Sequence, residues 1–248
     1  MIRLAFSGDR LIDQRIELER GDRHYLTKVM RVAPGAAIEV MIEGMGLFHA
    51  RVDATASNLI IERQLLAAAA APDLAITLAP ALIKHDLLAQ VVEKGTEVGV
   101  FAFEAWVSER SIVRSVSASK WDRWQKIAKE ATEQCRRKEI PRILEVKPNA
   151  GCLTLSEDQL GIVWDPRGIP LVEWWQKARR PKAVKTVSGP EGGLSPQEYA
   201  LLIRQGFVGV CLGPQIFRAE NAGVFGALLL HFLSREGPES TSMIGRDC

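Results

Sequence analysis

The first seventy residues carry short stretches in which apolar and polar positions alternate, as they do in strands with one buried face. The strands predicted from this pattern cover residues 37–41, 47–52 and 58–63. A glycine-containing turn over 42–46 is predicted to join the first two. A helix is predicted over 22–31, where Leu26, Val29 and Met30 recur at helical spacing. The pattern therefore predicts a small β-barrel module over residues 1–70.

After the alanine-rich segment 65–72, short apolar stretches alternate with longer amphipathic ones. The apolar stretches are predicted strands: 74–79, 100–107, 161–164, 184–188 and 208–212. The amphipathic stretches are predicted helices: 86–98, 119–137, 171–179, 196–205 and 220–234. This alternation is typical of an α/β domain with a parallel sheet, which is predicted over 73–236. The polar residues 237–248 are predicted to form a disordered tail.

The composition narrows the class of protein. The chain of 248 residues has a formal net charge of only +2, so a nucleic-acid surface would require local clustering of charge. Its four cysteines form no Cys-x-x-Cys pair, which argues against a zinc site or a disulfide framework and fits a reducing cytoplasm. The histidines have no metal-ligand spacing, and the longest apolar run, 224–233, is too short to span a bilayer. We therefore expect a soluble cytoplasmic protein without a metal or a membrane partner.

A glycine-rich segment over 187–195 connects a predicted strand to a predicted helix. The helix has a complete set of start residues, with Ser195 at the N-cap, Pro196 in the first helical position and Glu198 closing a capping box. Glycines allow a ligand to approach the backbone, and the free N–H groups of a helix start favour anions. The segment is therefore either a ligand-binding loop or a tight turn without a ligand.

A second loop, 212–222, also follows a predicted strand and leads into a helix. Ligands of α/β proteins bind at the carboxyl ends of the strands, where both loops are expected. Arg218 and Glu220 are either functional groups or a structural ion pair at the helix start. Since no metal-ligand set or activated nucleophile is visible in the sequence, the chemistry is expected to belong to a bound cofactor.

Positive charge is concentrated between residues 110 and 147, which contain 11 Lys or Arg against 5 Asp or Glu. Such a run is usually a solvated face, but here the excess is local in a nearly neutral chain, which favours phosphate binding. The N-terminal module has its own basic cluster: Arg20, Arg23, His24, Lys28 and Arg31.

Several motifs, in this order, resemble the RsmE family of small-subunit ribosomal RNA uracil-N3 methyltransferases, which belong to the SPOUT class. The matching segments span almost the whole chain: 24–31, 34–35, 94–100, 108–111, 124–134, 140–141, 189–195, 212–214 and 218–220. The chain departs from the family where Gln215 replaces the usual arginine, Asn221 a threonine and Ala105 a proline.

The resemblance implies a trefoil-knotted SPOUT methyltransferase domain over 73–236 and a PUA-like RNA-binding barrel over 1–70. It also implies a homodimer packed through the knot helices. S-adenosyl-L-methionine would be held mostly by backbone groups of three loops. The residues expected there are Trp164, Gly189, Gly192, Leu212, Gly213, Ile216 and Phe217.

The implied reaction is methylation of N3 of a specific uridine in 16S ribosomal RNA, either as free RNA or in the assembled small subunit. Arg218 is expected to position the RNA or stabilise the uridine anion, and Glu220 or Glu191 to accept the proton. The side chains expected to contact phosphates are Arg23, Lys28, Arg31, Arg110, Arg114, Arg136 and Arg137. Two alternatives stay open: a SPOUT enzyme that acts on another RNA or another atom, and a ribosome-assembly factor that binds RNA without catalysis.

Overall fold

The computed structural model of the protein describes residues 2–67, 72–178 and 180–235. The chain divides into two compact units, Met1–Ala70 with Lys129–Ile140 and Ala71–Ala128 with Pro141–Cys248. The predicted tail over 237–248, part of the alanine-rich segment and the last residue of the helix predicted over 171–179 lie outside the described residues.

The first unit is built on a sheet of six strands in the order β1-β4-β5-β6-β3-β2. Its strands are β1 (Arg3–Phe6), β2 (Leu11–Ile12), β3 (Arg15–Glu17), β4 (Ala37–Ile42), β5 (Gly46–Val52) and β6 (Asn58–Ala67). Strands β1 and β4 are parallel, and the other neighbours are antiparallel. One face of the sheet covers an apolar core that includes Phe6, Ile16, Leu26, Ile38 and Leu59.

The three strands predicted in this unit are confirmed as β4, β5 and β6. Strands β1, β2 and β3 were not predicted, because segments of two to four residues carry too few alternations. The helix predicted over 22–31 is present as α1 (Arg20–His24), which continues into a π-helical turn at Tyr25–Val29.

The second unit is an α/β structure with six parallel strands, which confirms the predicted fold class. Its strands are β7 (Ala75–Pro80), β8 (Ala102–Phe103), β9 (Arg142–Ile143), β10 (Gln159–Pro170), β11 (Ala183–Ser188) and β12 (Phe207–Cys211). Its helices are α2 (Leu87–Val98), α4 (Leu171–Ala178), α5 (Pro196–Arg204), α6 (Ala219–Arg235) and the part up to Ala128 of α3 (Ala118–Cys135). The strands follow one another across the sheet in the order β12-β10-β11-β7-β8-β9.

Each strand and helix predicted for this unit has a counterpart in the structure, with three differences. The stretch 100–107 forms only the short strand β8, followed by an isolated bridge at Trp106. Strand β9 was not predicted, because two residues carry no pattern. Strand β10 is longer than predicted because it resumes pairing with β12 after a bulge between Trp164 and Ile169.

Residues 129–140, predicted as part of the larger domain, pack within the first unit. The Glu133 carboxylate accepts a hydrogen bond from the Ala5 N–H at 2.8 Å. The Lys129 ammonium lies 4.8 Å from the centre of the Phe6 ring and 3.3 Å from a carboxylate oxygen of Asp22. These contacts join residues more than a hundred positions apart, so no local pattern could predict them.

Helix α6 packs against the middle of the sheet, although the strand before it in sequence lies at the edge. It follows the edge strand β12 in sequence but packs against β7, β11 and α2. The loop from 212 to 218 therefore carries the chain from the sheet edge back to its middle. In the part of the chain that the structure describes, no helix is long and apolar enough to cross a membrane.

Candidate active site

The second unit contains a cavity of about 970 Å³. It is formed by the segments that follow β7, β11 and β12, by the bulge of β10 and by the start of α6. Because these strands are parallel, their carboxyl ends meet at one edge of the sheet. The volume is within the range of small-molecule sites.

Most residues of the predicted site line this one cavity. They include the three predicted catalytic residues, Arg218, Glu220 and Glu191. They also include the predicted cofactor residues Trp164, Gly189, Leu212, Gly213, Ile216 and Phe217. Gly192 does not line the cavity, whereas its neighbour Gly193 does. The carbonyl of Gly192 instead accepts a hydrogen bond from Arg110 at 2.8 Å.

The loop after β11 has the local structure that its sequence predicts. The Ser195 hydroxyl accepts a hydrogen bond from the Glu198 N–H at 3.1 Å, and the Glu198 carboxylate accepts one from the Ser195 N–H at 2.9 Å. This capping box begins α5 with Pro196 in its first turn. Gly193 has a φ of +70°, which favours glycine, and its N–H closes a turn onto the Pro190 carbonyl at 2.8 Å.

Glu191 links two of the loops that form the cavity. One oxygen of its carboxylate accepts a hydrogen bond from the backbone N–H of Lys84, in the segment after β7, at 2.9 Å. His85 and Asp86 follow with φ values of 53° and 61°, left-handed conformations that cost free energy in residues other than glycine. The Asp86 carboxylate is paired with the Arg123 guanidinium. Glu191 therefore orders the rim of the cavity.

Arg218 and Glu220 lie where the chain enters α6. The Arg218 carbonyl accepts hydrogen bonds from the N–H groups of Asn221 and Ala222, so it starts the helix, while its side chain is exposed. The two side chains form no ion pair with each other within the described residues. The Glu220 carboxylate has no hydrogen-bond partner in the same part of the chain. Both residues line the cavity.

Trp164 packs directly against helix α6. A Cβ atom added at Gly226 would lie 2.1 Å from the Trp164 ring, so only glycine permits this contact. The indole N–H is buried and has no acceptor among the described residues. Ile216, across the cavity lining, is 82% exposed. An exposed large apolar side chain in the lining fits a ligand with an apolar part.

A protein-family model described as an RNA methyltransferase domain matches residues 70–231. A curated relative in Synechocystis sp., "Ribosomal RNA small subunit methyltransferase E", is 30% identical over 227 residues, which cover 89% of this chain and 74% of the relative. The chain belongs to this family of RNA methyltransferases. The resemblance seen in the sequence is thus confirmed.

Two solved structures have the same fold. The crystal structure of ribosomal RNA small subunit methyltransferase E from Neisseria gonorrhoeae, bound to S-adenosyl methionine, has a TM-score of 0.83 at 25% identity and covers 94% of this chain and 98% of its own. A putative methyltransferase from Legionella pneumophila, in complex with the same cofactor, has a TM-score of 0.82 at 24% identity and covers 94% of this chain and 97% of its own.

Glu198 was predicted only as a capping residue, but in this methyltransferase it also joins two distant segments of the second unit. The side chain is only 4% exposed. Besides closing the capping box, it accepts hydrogen bonds from the Ser108 hydroxyl at 3.0 Å and the Glu109 N–H at 2.7 Å. The partners are about ninety residues away in sequence. It therefore joins the segment after β8 to the loop after β11.

The side chains predicted to contact phosphates differ in their exposure and in their hydrogen bonds. In the first unit Arg23, Lys28, Arg31 and Arg136 are exposed, and Arg137 is half-buried. Burial lowers the pKa of the Arg137 guanidinium. In the second unit Arg110 and Arg114 donate to backbone carbonyls, Arg114 to those of Ser108 and Glu109 at 2.9 and 2.7 Å. These two arginines thus order the segment 108–114 in addition to carrying exposed charge.

The cavity lining also contains residues that the sequence did not single out, among them Arg167. Arg167 forms an ion pair at 2.7 Å with Asp165 within the bulge of β10. The guanidinium of Arg167 holds the pKa of the Asp165 carboxyl below its usual value. No set of three or more His, Cys, Asp or Glu residues suited to a metal ion occurs within residues 2–67, 72–178 and 180–235.

Proposed function

We propose that the protein transfers a methyl group from S-adenosylmethionine to N3 of a uridine in 16S ribosomal RNA. Membership of the family of ribosomal RNA small subunit methyltransferases supports the reaction and the class of substrate. The observation that carries the proposal is the convergence of Trp164, Gly189, Gly213, Arg218 and Glu220 on one cavity. We also propose a cytoplasmic location, because the proposed substrate is ribosomal RNA.

The cavity has the features that S-adenosylmethionine requires. When bound, this cofactor supplies a methyl group on a positively charged sulfur, which makes the methyl carbon electrophilic. Leu212, Ile216 and Phe217 offer an apolar surface to an adenine ring. The glycines at 189 and 213 let backbone groups approach the ligand closely; Gly213 has a φ of +127°. The Glu191 carboxylate of the lining complements the positive charge of the sulfonium.

Uridine N3 is a poor nucleophile until it loses its proton, so the site needs a proton acceptor. Of the two predicted proton acceptors, Glu220 is the better candidate, since Glu191 already accepts the Lys84 N–H. The exposed guanidinium of Arg218 is placed to stabilise the negative charge that develops on the uracil ring. In this scheme the proton passes from N3 to a Glu220 oxygen, and the N3 electron pair forms the bond to the methyl carbon as the carbon–sulfur bond breaks.

The decisive experiment is transfer of labelled methyl from S-adenosylmethionine to small ribosomal subunits, and separately to free 16S RNA, from a strain without this modification. Nucleoside analysis should find the label in 3-methyluridine. Glu220→Gln should lower kcat by about a hundredfold or more, while cofactor affinity by calorimetry stays near wild type. Glu191→Gln should lower kcat less. Absence of label with the wild-type protein would refute the proposed function, and label in a ribose methyl group would refute N3.

The proposed fold has two finer features, a trefoil knot and a PUA-like barrel. The knot is supported by the return of α6 from the edge strand β12 to β7 and β11 in the middle of the sheet. Knotted chains are rare, so this path alone would not suggest one without the family. The PUA-like barrel is supported by the small mixed sheet of the first unit and by the apolar core that the sheet covers.

We further propose a homodimer that packs through α6. One side of this helix exposes large apolar side chains to solvent: Phe225, Leu228, Leu229 and Phe232, with 39%, 51%, 40% and 54% of their surface accessible. A contiguous apolar face of this kind favours burial against a partner.

Exposed basic side chains in each unit are proposed to contact RNA phosphates. They are Arg23, Lys28, Arg31 and Arg136 in the first unit and Arg110 and Arg114 in the second.

A further inference from the structure

The bulge in β10 is built into the structure by its glycine. Trp164 and Ile169 both pair with Val210 of β12, so residues 165–168 are looped out of the sheet. A Cβ atom added at Gly168 would lie 2.4 Å from the backbone of Gly209, so a larger residue would displace the loop from β12. Bulges often redirect a side chain beside an active site. Here the bulge brings Asp165, Pro166 and Arg167 to the cavity.

The Arg167 guanidinium is held on two sides. Its Nε and Nη2 atoms donate to the two oxygens of the Asp165 carboxylate at 3.0 and 2.7 Å, and the backbone N–H of Arg167 donates to the same carboxylate at 2.8 Å. Its Cζ atom lies 5.7 Å from the centre of the Tyr199 ring. A Cβ at Gly209 would lie 2.2 Å from the Tyr199 hydroxyl, so Gly209 leaves the space that the ring occupies.

Despite these contacts, the Arg167 side chain is 82% exposed, whereas that of Asp165 is only 9% exposed. The Asp165 carboxylate accepts hydrogen bonds from the Nε and Nη2 atoms of the guanidinium. The Nη1 atom makes no hydrogen bond with any of the described residues. An arginine that is already oriented loses little conformational entropy when it binds an oxyanion. A role in stability would need only the edge of the guanidinium that meets Asp165, so it does not explain the exposed Nη1 edge.

We propose that Arg167 binds a backbone phosphate of the RNA next to the methylated nucleotide. This inference rests on the proposed function. Two anions could reach the cavity, an RNA phosphate and the carboxylate of the cofactor. The RNA phosphate is favoured because the guanidinium is largely exposed to solvent, where a polymer passes, rather than enclosed with a small ligand. A phosphate contact fixes the position and orientation of the RNA without reading its sequence.

The test compares Arg167→Ala with wild type in methyl transfer to small ribosomal subunits. Loss of one charged contact should raise the KM for RNA about tenfold and leave kcat within about twofold, because such a contact acts in the ground and transition states alike. The slope of log affinity against log salt should fall by about one. Arg167→Lys keeps the charge but loses the fork, so its KM should lie between the two. The matched control is Arg204→Ala on the exposed face of α5, which should change neither quantity.

Calorimetry with S-adenosylmethionine shows whether Arg167 binds the RNA phosphate or the carboxylate of the cofactor. The proposal expects an unchanged cofactor affinity in Arg167→Ala, which also shows that the variant is folded. Weaker cofactor binding with an unchanged KM for RNA would overturn it in favour of the cofactor carboxylate. Unchanged values of both would overturn it outright. If the wild-type protein itself transfers no methyl group, the proposed function has failed, which is a different result from a wild-type enzyme insensitive to Arg167.

Discussion

At the scale of single residues, Glu198 is a buried carboxylate that joins the loop after β11 to the segment after β8. Its buried carboxylate accepts from Ser195, Ser108 and Glu109. Glu198→Ala leaves these donors without an acceptor and should lower the free energy of unfolding by about 2–4 kcal/mol. Urea unfolding measures the change. Glu173→Ala, which removes an exposed carboxylate of α4, should cost less than about 0.5 kcal/mol; an equal loss in both variants would contradict this account.

Glu133 makes the first unit sensitive to pH. Burial is the main reason that the pKa of its carboxyl is raised to about 7. In the unfolded chain the same group ionises near its usual value, so the folded state loses stability as pH rises from about 4.5 to 7. Glu133→Gln keeps an oxygen that can accept the Ala5 N–H but removes the charge. The variant should match wild type at pH 4 and exceed its stability by about 1–3 kcal/mol at pH 8.

Denaturant unfolding across this pH range checks the prediction. Glu43→Gln, on an exposed turn of the same unit, is the matched control, and its difference from wild type should not change with pH. A Glu133→Gln difference that is equally flat would mean that the carboxyl ionises in the folded protein as it does in water.

At the scale of elements, helix α6 contacts β10 where Gly226 faces the Trp164 ring. A Cβ at Gly226 would meet the Trp164 ring at 2.1 Å, whereas a Cβ at Gly223 would meet the Leu78 side chain at an ordinary 3.8 Å. Gly226→Ala should therefore destabilise the protein by about 1–3 kcal/mol and weaken cofactor binding, because Trp164 lines the cavity. Gly223→Ala should be neutral or stabilising by up to about 1 kcal/mol.

Thermal unfolding and calorimetry with S-adenosylmethionine measure these two effects. The same substitution on one helix, three residues apart, makes Gly223→Ala the control for helix propensity. If both alanine variants behave alike, the packing of Trp164 on Gly226 does not determine the position of α6.

At the scale of the whole molecule, the apolar face of α6 predicts the oligomeric state. Leu228→Asp combined with Phe232→Asp should convert a dimer into a monomer, because two charges would have to be buried in an apolar interface. Analytical ultracentrifugation measures the change. Ile12→Asp alters a side chain of the first unit that is 68% exposed and should leave the dimer intact. A wild-type protein that sediments as a monomer would refute the proposed dimer.

Dimer formation and cofactor binding should be linked. Phe225 on the exposed face of α6 makes an edge-to-face contact with Phe217, with ring centres 5.4 Å apart, and Phe217 lines the cavity. A partner that covers Phe225 would thus restrict Phe217. The monomeric double variant should bind S-adenosylmethionine about three- to tenfold more weakly, by loss of a fraction of one aromatic contact. Equal affinity in monomer and dimer would show that the two are independent.

The sequence by itself determined the features that depend on neighbouring residues. The alternation of apolar strands and amphipathic helices predicted the parallel α/β unit, and Ser195, Pro196 and Glu198 predicted the start of α5, because helix caps and strand faces are decided within a few positions. Family motifs predicted nine residues that line the cavity, although their chemical roles stay predictions.

Only the tertiary structure decided how distant charges and loops are used. It placed residues 129–140 with the first unit, joined Glu191 to Lys84, and gave Glu198 partners about ninety residues away. It also looped Arg167 out of β10, which depends on Gly168 meeting Gly209 of the neighbouring strand. The physical reason is the same in each case: which hydrogen bonds a buried or bulged residue makes depends on strands and loops that the chain brings together only when it folds.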